Sequence, residues 1–141
     1  MSLRTNIYID IDGVLLADKA LPALYADEFL QMVLSKYPDS TYWLTTHVWR
    51  GENVISHSLA PYLRPETQKL LSKIKPTEWG QWKTDAIDFS NPFLWFDDDL
   101  YPEEEKVLLR HGVINNWVGV DLYKEPAQLS KYISSFPLVT R

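Results

Sequence analysis

Short apolar runs alternate along this chain with segments whose apolar residues recur every three or four positions. Residues 6–11, Asn-Ile-Tyr-Ile-Asp-Ile, carry β-branched side chains at every second position and predict a strand. Ile7, Ile9 and Ile11 with Tyr8 make both faces apolar, as suits a central parallel strand covered on each side. Leu21, Leu24, Tyr25, Phe29, Met32 and Val33 follow helical spacing and predict a helix over 22–36, stopped by Tyr37-Pro38-Asp39. Residues 41–45 predict a second strand, 46–61 an irregular loop, 65–72 a helix, 73–75 a short third strand and 77–88 a further helix. Residues 92–96, Pro-Phe-Leu-Trp-Phe, predict a fourth strand that runs into Asp97-Asp98-Asp99. The next helix is marked from start to stop: Pro102, acids at 103–105, Arg110 and His111, then Gly112. Acid at the first turn and base at the last complement the helix dipole. Residues 117–120 predict a fifth strand and 126–135 a last helix. Strands alternating with helices imply a three-layer α/β, Rossmann-like domain with a mainly parallel five-stranded sheet. No repeat or Gly/Ser linker interrupts it, so residues 1–141 read as a single domain.

Composition narrows the chemistry. The chain has no cysteine, which excludes disulfides, thiolate zinc sites and cysteine nucleophiles. Its net charge of −5 argues against a duplex nucleic acid partner, which calls for a basic face. No apolar run approaches the ~18 residues of a membrane span, so the expectation is a soluble, cytoplasmic protein with no membrane partner.

Ligands of an open α/β sheet bind beyond the carboxyl ends of the strands. The predicted first strand ends in Asp10-Ile-Asp12-Gly13, the second in Thr45-Thr46 and the fourth in Asp97-Asp98-Asp99. Each of these has a plain structural reading, because Asp-Gly favours turns, and a run of Asp commonly caps a helix. Jointly they gather several carboxylates at one rim. Two charges 4 Å apart repel by about 4 kcal/mol at an effective dielectric of 20. A proton taken up by one acid, or a divalent cation between them, relieves this, and hard oxygen ligands facing a phosphate favour Mg²⁺. Both together describe phosphoryl transfer. Gly13 allows a tight departure of the chain and close approach of a ligand to its backbone.

The set of motifs resembles the haloacid dehalogenase-like (HAD) hydrolase superfamily. Ile9-Asp10-Ile11-Asp12-Gly13-Val14-Leu15 looks like its first motif and Trp43-Leu44-Thr45-Thr46 its second. Lys83 in Trp82-Lys83-Thr84-Asp85 looks like the third, and Leu94-Trp95-Phe96-Asp97-Asp98 the fourth. The resemblance implies an HAD-like fold and a phosphatase, that is, a phosphoric monoester hydrolase working through an aspartyl-phosphate. Asp10 would be the nucleophile and Asp12 the general acid and then base. Mg²⁺ would be held by Asp10, the Asp12 carbonyl, and Asp97 or Asp98. Thr45, or Thr46 after a one-residue shift, would bind the phosphoryl group, and Lys83 would neutralise it. Asp12 favours phosphatase over dehalogenase chemistry, because a halide leaving group needs no proton. A receiver domain also gathers acids, a threonine and a lysine, but there the lysine follows every acidic cluster, whereas Lys83 precedes Asp97.

Neither the stretch between Gly13 and Thr41 nor that between Thr46 and Lys83 is long enough for a full cap domain, so the resemblance implies a capless member with an open site. His47, Trp49, Arg50, Trp79 and Trp82 are expected around its rim, with Arg50 either gripping a second phosphate or simply solvated. The partner expected is a small phosphorylated substrate, with a nucleotide or an RNA or DNA end among the candidates. The alternative is a non-catalytic phosphate- or metal-binding module on the same fold.

Overall fold

The computed structural model describes residues 4–17, 21–46, 48–49, 52–53 and 59–135. Along these the elements are β1 (Asn6–Ile9), α1 (Ala26–Lys36), β2 (Thr41–Trp43), β3 (Val48–Trp49) and β4 (Glu52–Asn53). There follow α2 (Pro65–Gln68), β5 (Phe93–Asp97), α3 (Pro102–Arg110), β6 (Trp117–Gly119) and α4 (Leu129–Ser135). The main sheet is four-stranded and wholly parallel, in the order β2-β1-β5-β6. Register sets Ile9 beside both Trp43 and Phe96.

Two-residue alternation sorts the central strands between two cores. Ile7 and Ile9 of β1 and Leu94 and Phe96 of β5 point to one face, where Phe29 and Val33 of α1 and Leu129 and Tyr132 of α4 cover them. Tyr8 of β1 and Phe93 and Trp95 of β5 point to the other, against Leu108 of α3. Helices thus cover both faces, an α/β arrangement compatible with a Rossmann-like fold. No helix among the described residues is long and apolar enough to cross a membrane.

The expected five-stranded sheet is corrected to four strands. Residues 73–75 meet the edge of β2 only through the bridge Tyr42↔Lys75, with Trp43 N–H donating to the Lys75 carbonyl at 2.8 Å and Lys75 N–H to that of Thr41 at 3.0 Å. A 3-10 turn, Leu71–Lys73, keeps the chain curled up to Ile74, and Pro76 has no N–H to extend the ladder. The helix expected over 77–88 shrinks to the 3-10 turn Lys83–Ala86. Gly80 disfavours a helix there, and Thr77 is tied to β2 by a 2.6 Å bond from its hydroxyl to the Trp43 carbonyl. The helix expected from 22 begins instead at Ala26. Pro22 bridges to Leu16, Ala23 N–H donates to the Leu15 carbonyl at 2.9 Å, and Tyr25 turns left-handed at φ 67°. Its buried stripe is consequently Ala26, Phe29, Leu30, Val33 and Leu34, while Leu21, Leu24 and Tyr25 are exposed. The loop expected over 46–61 contains the antiparallel pair β3-β4.

Candidate functional site

From β1 the chain winds to β2 on one side, and β5 later adds to β1 on the other. The winding therefore reverses between β1 and β5, and a crevice for ligands opens at the carboxyl ends of such a pair. Asp10 is the first residue beyond β1, fixed by a 3.0 Å bond from its N–H to the Phe96 carbonyl. Asp97 closes β5, and its carbonyl accepts Val120 N–H at 2.9 Å. Strand pairing thus sets the two acids side by side, 6% and 1% exposed.

Beyond Asp10 the backbone turns tightly. Val14, Leu15 and Leu16 all donate their N–H to the Ile11 carbonyl, at 3.2, 2.9 and 3.0 Å. The turn needs Gly13, whose φ is +82°. A Cβ on Gly13 would stand 2.2 Å from Asp98 Oδ2, so the Asp98 carboxylate occupies the space that any other side chain would fill. Asp12, on the same turn, is exposed and lines the cavity.

Lys83 brings the cation. Its Nζ donates to Asp97 Oδ2 at 2.8 Å and lies 3.3 Å from Asp10 Oδ2. Trp95 Nε1 donates to the same Asp97 oxygen at 3.2 Å, and Asp99 N–H to Oδ1 at 3.2 Å. Lys83 is itself held from behind the ammonium: its backbone N–H donates to Glu104 Oε2 at 3.0 Å, while Oε1 accepts Tyr101 N–H at 3.1 Å. Glu104 sits at the third position of α3, where a carboxylate reaches back to the residue before the helix. It is buried, unlike Glu103 and Glu105.

Charge in this site is unbalanced. Burial, and then the Asp97 charge, push Asp10 up to about 8 against the partial relief that Lys83 gives. Burial, then a hydrogen bond to Asp97 and its charge, push Asp98 up to about 6. Burial works against the Lys83 ammonium, but Asp10 and Asp97 outweigh it and hold its pKa above the ordinary lysine value. Burial likewise raises Glu104, against the pull of the two backbone N–H groups it accepts. Among the described residues one ammonium thus faces three neighbouring carboxylates, and without another cation protons make up the difference.

The donor set suits a small hard cation. Asp10, Asp97 and Asp98 each offer an oxygen, all within 4.8 Å of one another. Three carboxylate oxygens so gathered could hold a metal ion, and oxygen ligands are those a hard cation takes. The carboxylate of Asp97 accepts three donors and keeps capacity for a further partner. The cradle at Gly13 that admits Asp98 is part of the same fit.

The structure gathers Asp10, Asp12, Lys83, Asp97 and Asp98 around a cavity of about 360 Å³. Thr46 lines it, and Thr45 is buried. Arg50, His47 and the side chain of Trp49 lie outside the described residues. Sequence reasoning missed the tie from Glu104 to Lys83, the Trp95 indole on Asp97 and the presence of Tyr101 on the cavity wall. A signal existed for Glu104 in its third-position spacing from Tyr101. None existed for the indole. No protein-family model matches the chain, and comparison with curated proteins and with solved structures gives no match.

Proposed function

We propose that this protein is an HAD-like, Mg²⁺-dependent hydrolase of phosphate monoesters, with Asp10 as nucleophile. The observation that carries the reading is the Lys83 ammonium shared between two buried acids from different strands, 3.3 Å from Asp10 and 2.8 Å from Asp97. A cation so placed serves an incoming phosphoryl group and the acid that attacks it. The motif resemblance supplies the roles, and the arrangement is compatible with them.

In the first half-reaction an Asp10 oxygen attacks phosphorus as the ester oxygen departs, giving an aspartyl-phosphate and an alcohol. Asp12, exposed at the cavity, gives its proton to the departing oxygen. In the second, Asp12 takes a proton from water, whose oxygen attacks phosphorus and releases inorganic phosphate and free Asp10. Lys83 and Thr46 hold the non-bridging oxygens. Mg²⁺ bound by Asp10, Asp97, Asp98 and the Asp12 carbonyl would keep Asp10 ionised and offset phosphoryl charge. Glu104 orients Lys83 through its backbone.

The test is turnover of a generic aryl phosphate by the metal-loaded chain. Asp10→Asn is expected to lower it by about 10³-fold or more, with an unchanged circular dichroism spectrum. Wild type inert toward a panel of phosphate esters would end the hydrolase reading. Stabilisation by Mg²⁺ with beryllofluoride, without turnover, would instead identify a non-catalytic phosphate-binding module.

A further inference from the structure

The acidic cluster leaves the aromatic side chains of the cavity unexplained. Trp79 packs partly into the second core, which accounts for it without a ligand. Trp82 and Tyr101 are different. Both line the cavity, and among the described residues neither belongs to a core cluster. Their ring centroids lie 5.9 Å apart at an interplanar angle of 53°, and Tyr101 is 53% exposed. Trp82 directly precedes Lys83, and Tyr101 shares with Lys83 the buried Glu104 carboxylate. The backbone that carries Tyr101, and the residue after Trp82, are thus tied to one carboxylate. Apolar ring surface beside a charged cavity gains when a flat group covers it, whatever that group's hydrogen-bonding pattern.

We infer that the ester handled at this site carries a planar aromatic ring on its leaving group, of nucleoside monophosphate size, seated on Trp82 and Tyr101. This rests on the phosphomonoester reading above. The cavity, about 360 Å³, is at the small end of the roughly 300–1,000 Å³ typical of small-molecule sites. Among the described residues six acids line it (Asp10, Asp12, Asp97, Asp98, Asp99 and Glu104) against one base, Lys83. A single phosphate suits that balance. The further phosphates of a polyphosphate or a nucleic acid strand would meet the remaining acids.

The experiment is an NMR titration of the full chain in Mg²⁺, carrying Asp10→Asn so that esters persist. The probes are adenosine 5′-monophosphate, phenyl phosphate, glycerol phosphate and a 5′-phosphorylated oligonucleotide. The nucleotide is expected to bind about tenfold more tightly than glycerol phosphate and to shift the Trp82 indole resonance. Tyr101→Leu and Trp82→Leu should each lower that ratio, and together bring it near one. Tyr101→Leu alters an exposed ring, and unmoved resonances elsewhere verify the fold. Phenyl phosphate weaker than the nucleotide supports a nucleoside, and phenyl phosphate stronger overturns that size. Equal affinities for nucleotide and glycerol phosphate overturn the ring itself. Tighter binding of the oligonucleotide overturns the single-phosphate assignment. Turnover by wild type separates the two claims. A persistent ring preference without hydrolysis of any ester sinks the hydrolase and leaves the ring standing; hydrolysis of all esters at equal kcat/KM does the reverse.

Discussion

Gly13 is where one atom decides the most. Its φ of +82° strains any residue with a side chain, and an added Cβ would lie 2.2 Å from the Asp98 carboxylate. Either the turn or Asp98 must move. We predict that Gly13→Ala costs about 1–3 kcal/mol of stability. It should also abolish most of the thermal stabilisation given by Mg²⁺, because Asp98 is displaced from Asp10 and Asp97. Melting curves with Mg²⁺ and with chelator measure both, and a normal Mg²⁺ response would remove Asp98 from the metal set. This part of the site was legible beforehand as the polar end of a strand, although the strand expected over 6–11 stops at Ile9. The choice between Thr45 and Thr46 was not legible. β2 keeps ladder geometry only to Trp43, and side-chain direction beyond it depends on a backbone departure that no local pattern encodes.

Two elements distant in sequence, the Lys83–Ala86 turn and the start of α3, meet through one carboxylate. Glu104→Ala leaves the N–H groups of Lys83 and Tyr101 without their acceptor, at a cost of about 1–3 kcal/mol. Glu104→Gln keeps one acceptor oxygen and should lose less. If Glu104 positions Lys83, the alanine variant lowers kcat for aryl phosphate by more than its effect on KM, and glutamine restores part of it. Equal kcat in both variants and wild type would reduce Glu104 to a helix cap. From sequence all three glutamates at 103–105 complement the helix dipole and only the spacing of Glu104 from Tyr101 sets it apart; its tie to the Lys83 turn comes from the tertiary fold. The same distinction runs through the fold. β1 and β5 were legible from their apolar runs, and α3 from its charged turns and the Pro102 and Gly112 that bound it. The third strand and the 77–88 helix were not. One depended on whether three residues could escape the preceding 3-10 turn, and the other on a tertiary bond from Thr77 to β2.

For the molecule as a whole, the site opposes the stability of the metal-free fold. Asp10 and Asp98 keep their protons to about pH 8 and pH 6 when folded, against 3.8 as the ordinary value. Between those limits the folded chain binds more protons than the unfolded chain, so stability falls as pH rises, the reverse of an ordinary ion-paired carboxylate. We predict that in chelator the melting temperature drops between pH 5 and pH 8 by about 5 °C or more. Saturating Mg²⁺ replaces the protons and should raise the melting temperature far more at pH 8 than at pH 5. Asp10→Asn removes a charge that the fold holds at a cost. That variant should therefore melt higher than wild type at pH 8 in chelator, while gaining less from Mg²⁺. A gain in stability when Asp10 is neutralised is the signature of a site kept for binding or chemistry, since a merely structural acid would weaken the fold when neutralised. A metal-free profile that stays flat from pH 5 to pH 8 would mean that the three carboxylates are solvated well enough to ionise together, and the argument for a cation between them would lose its electrostatic basis.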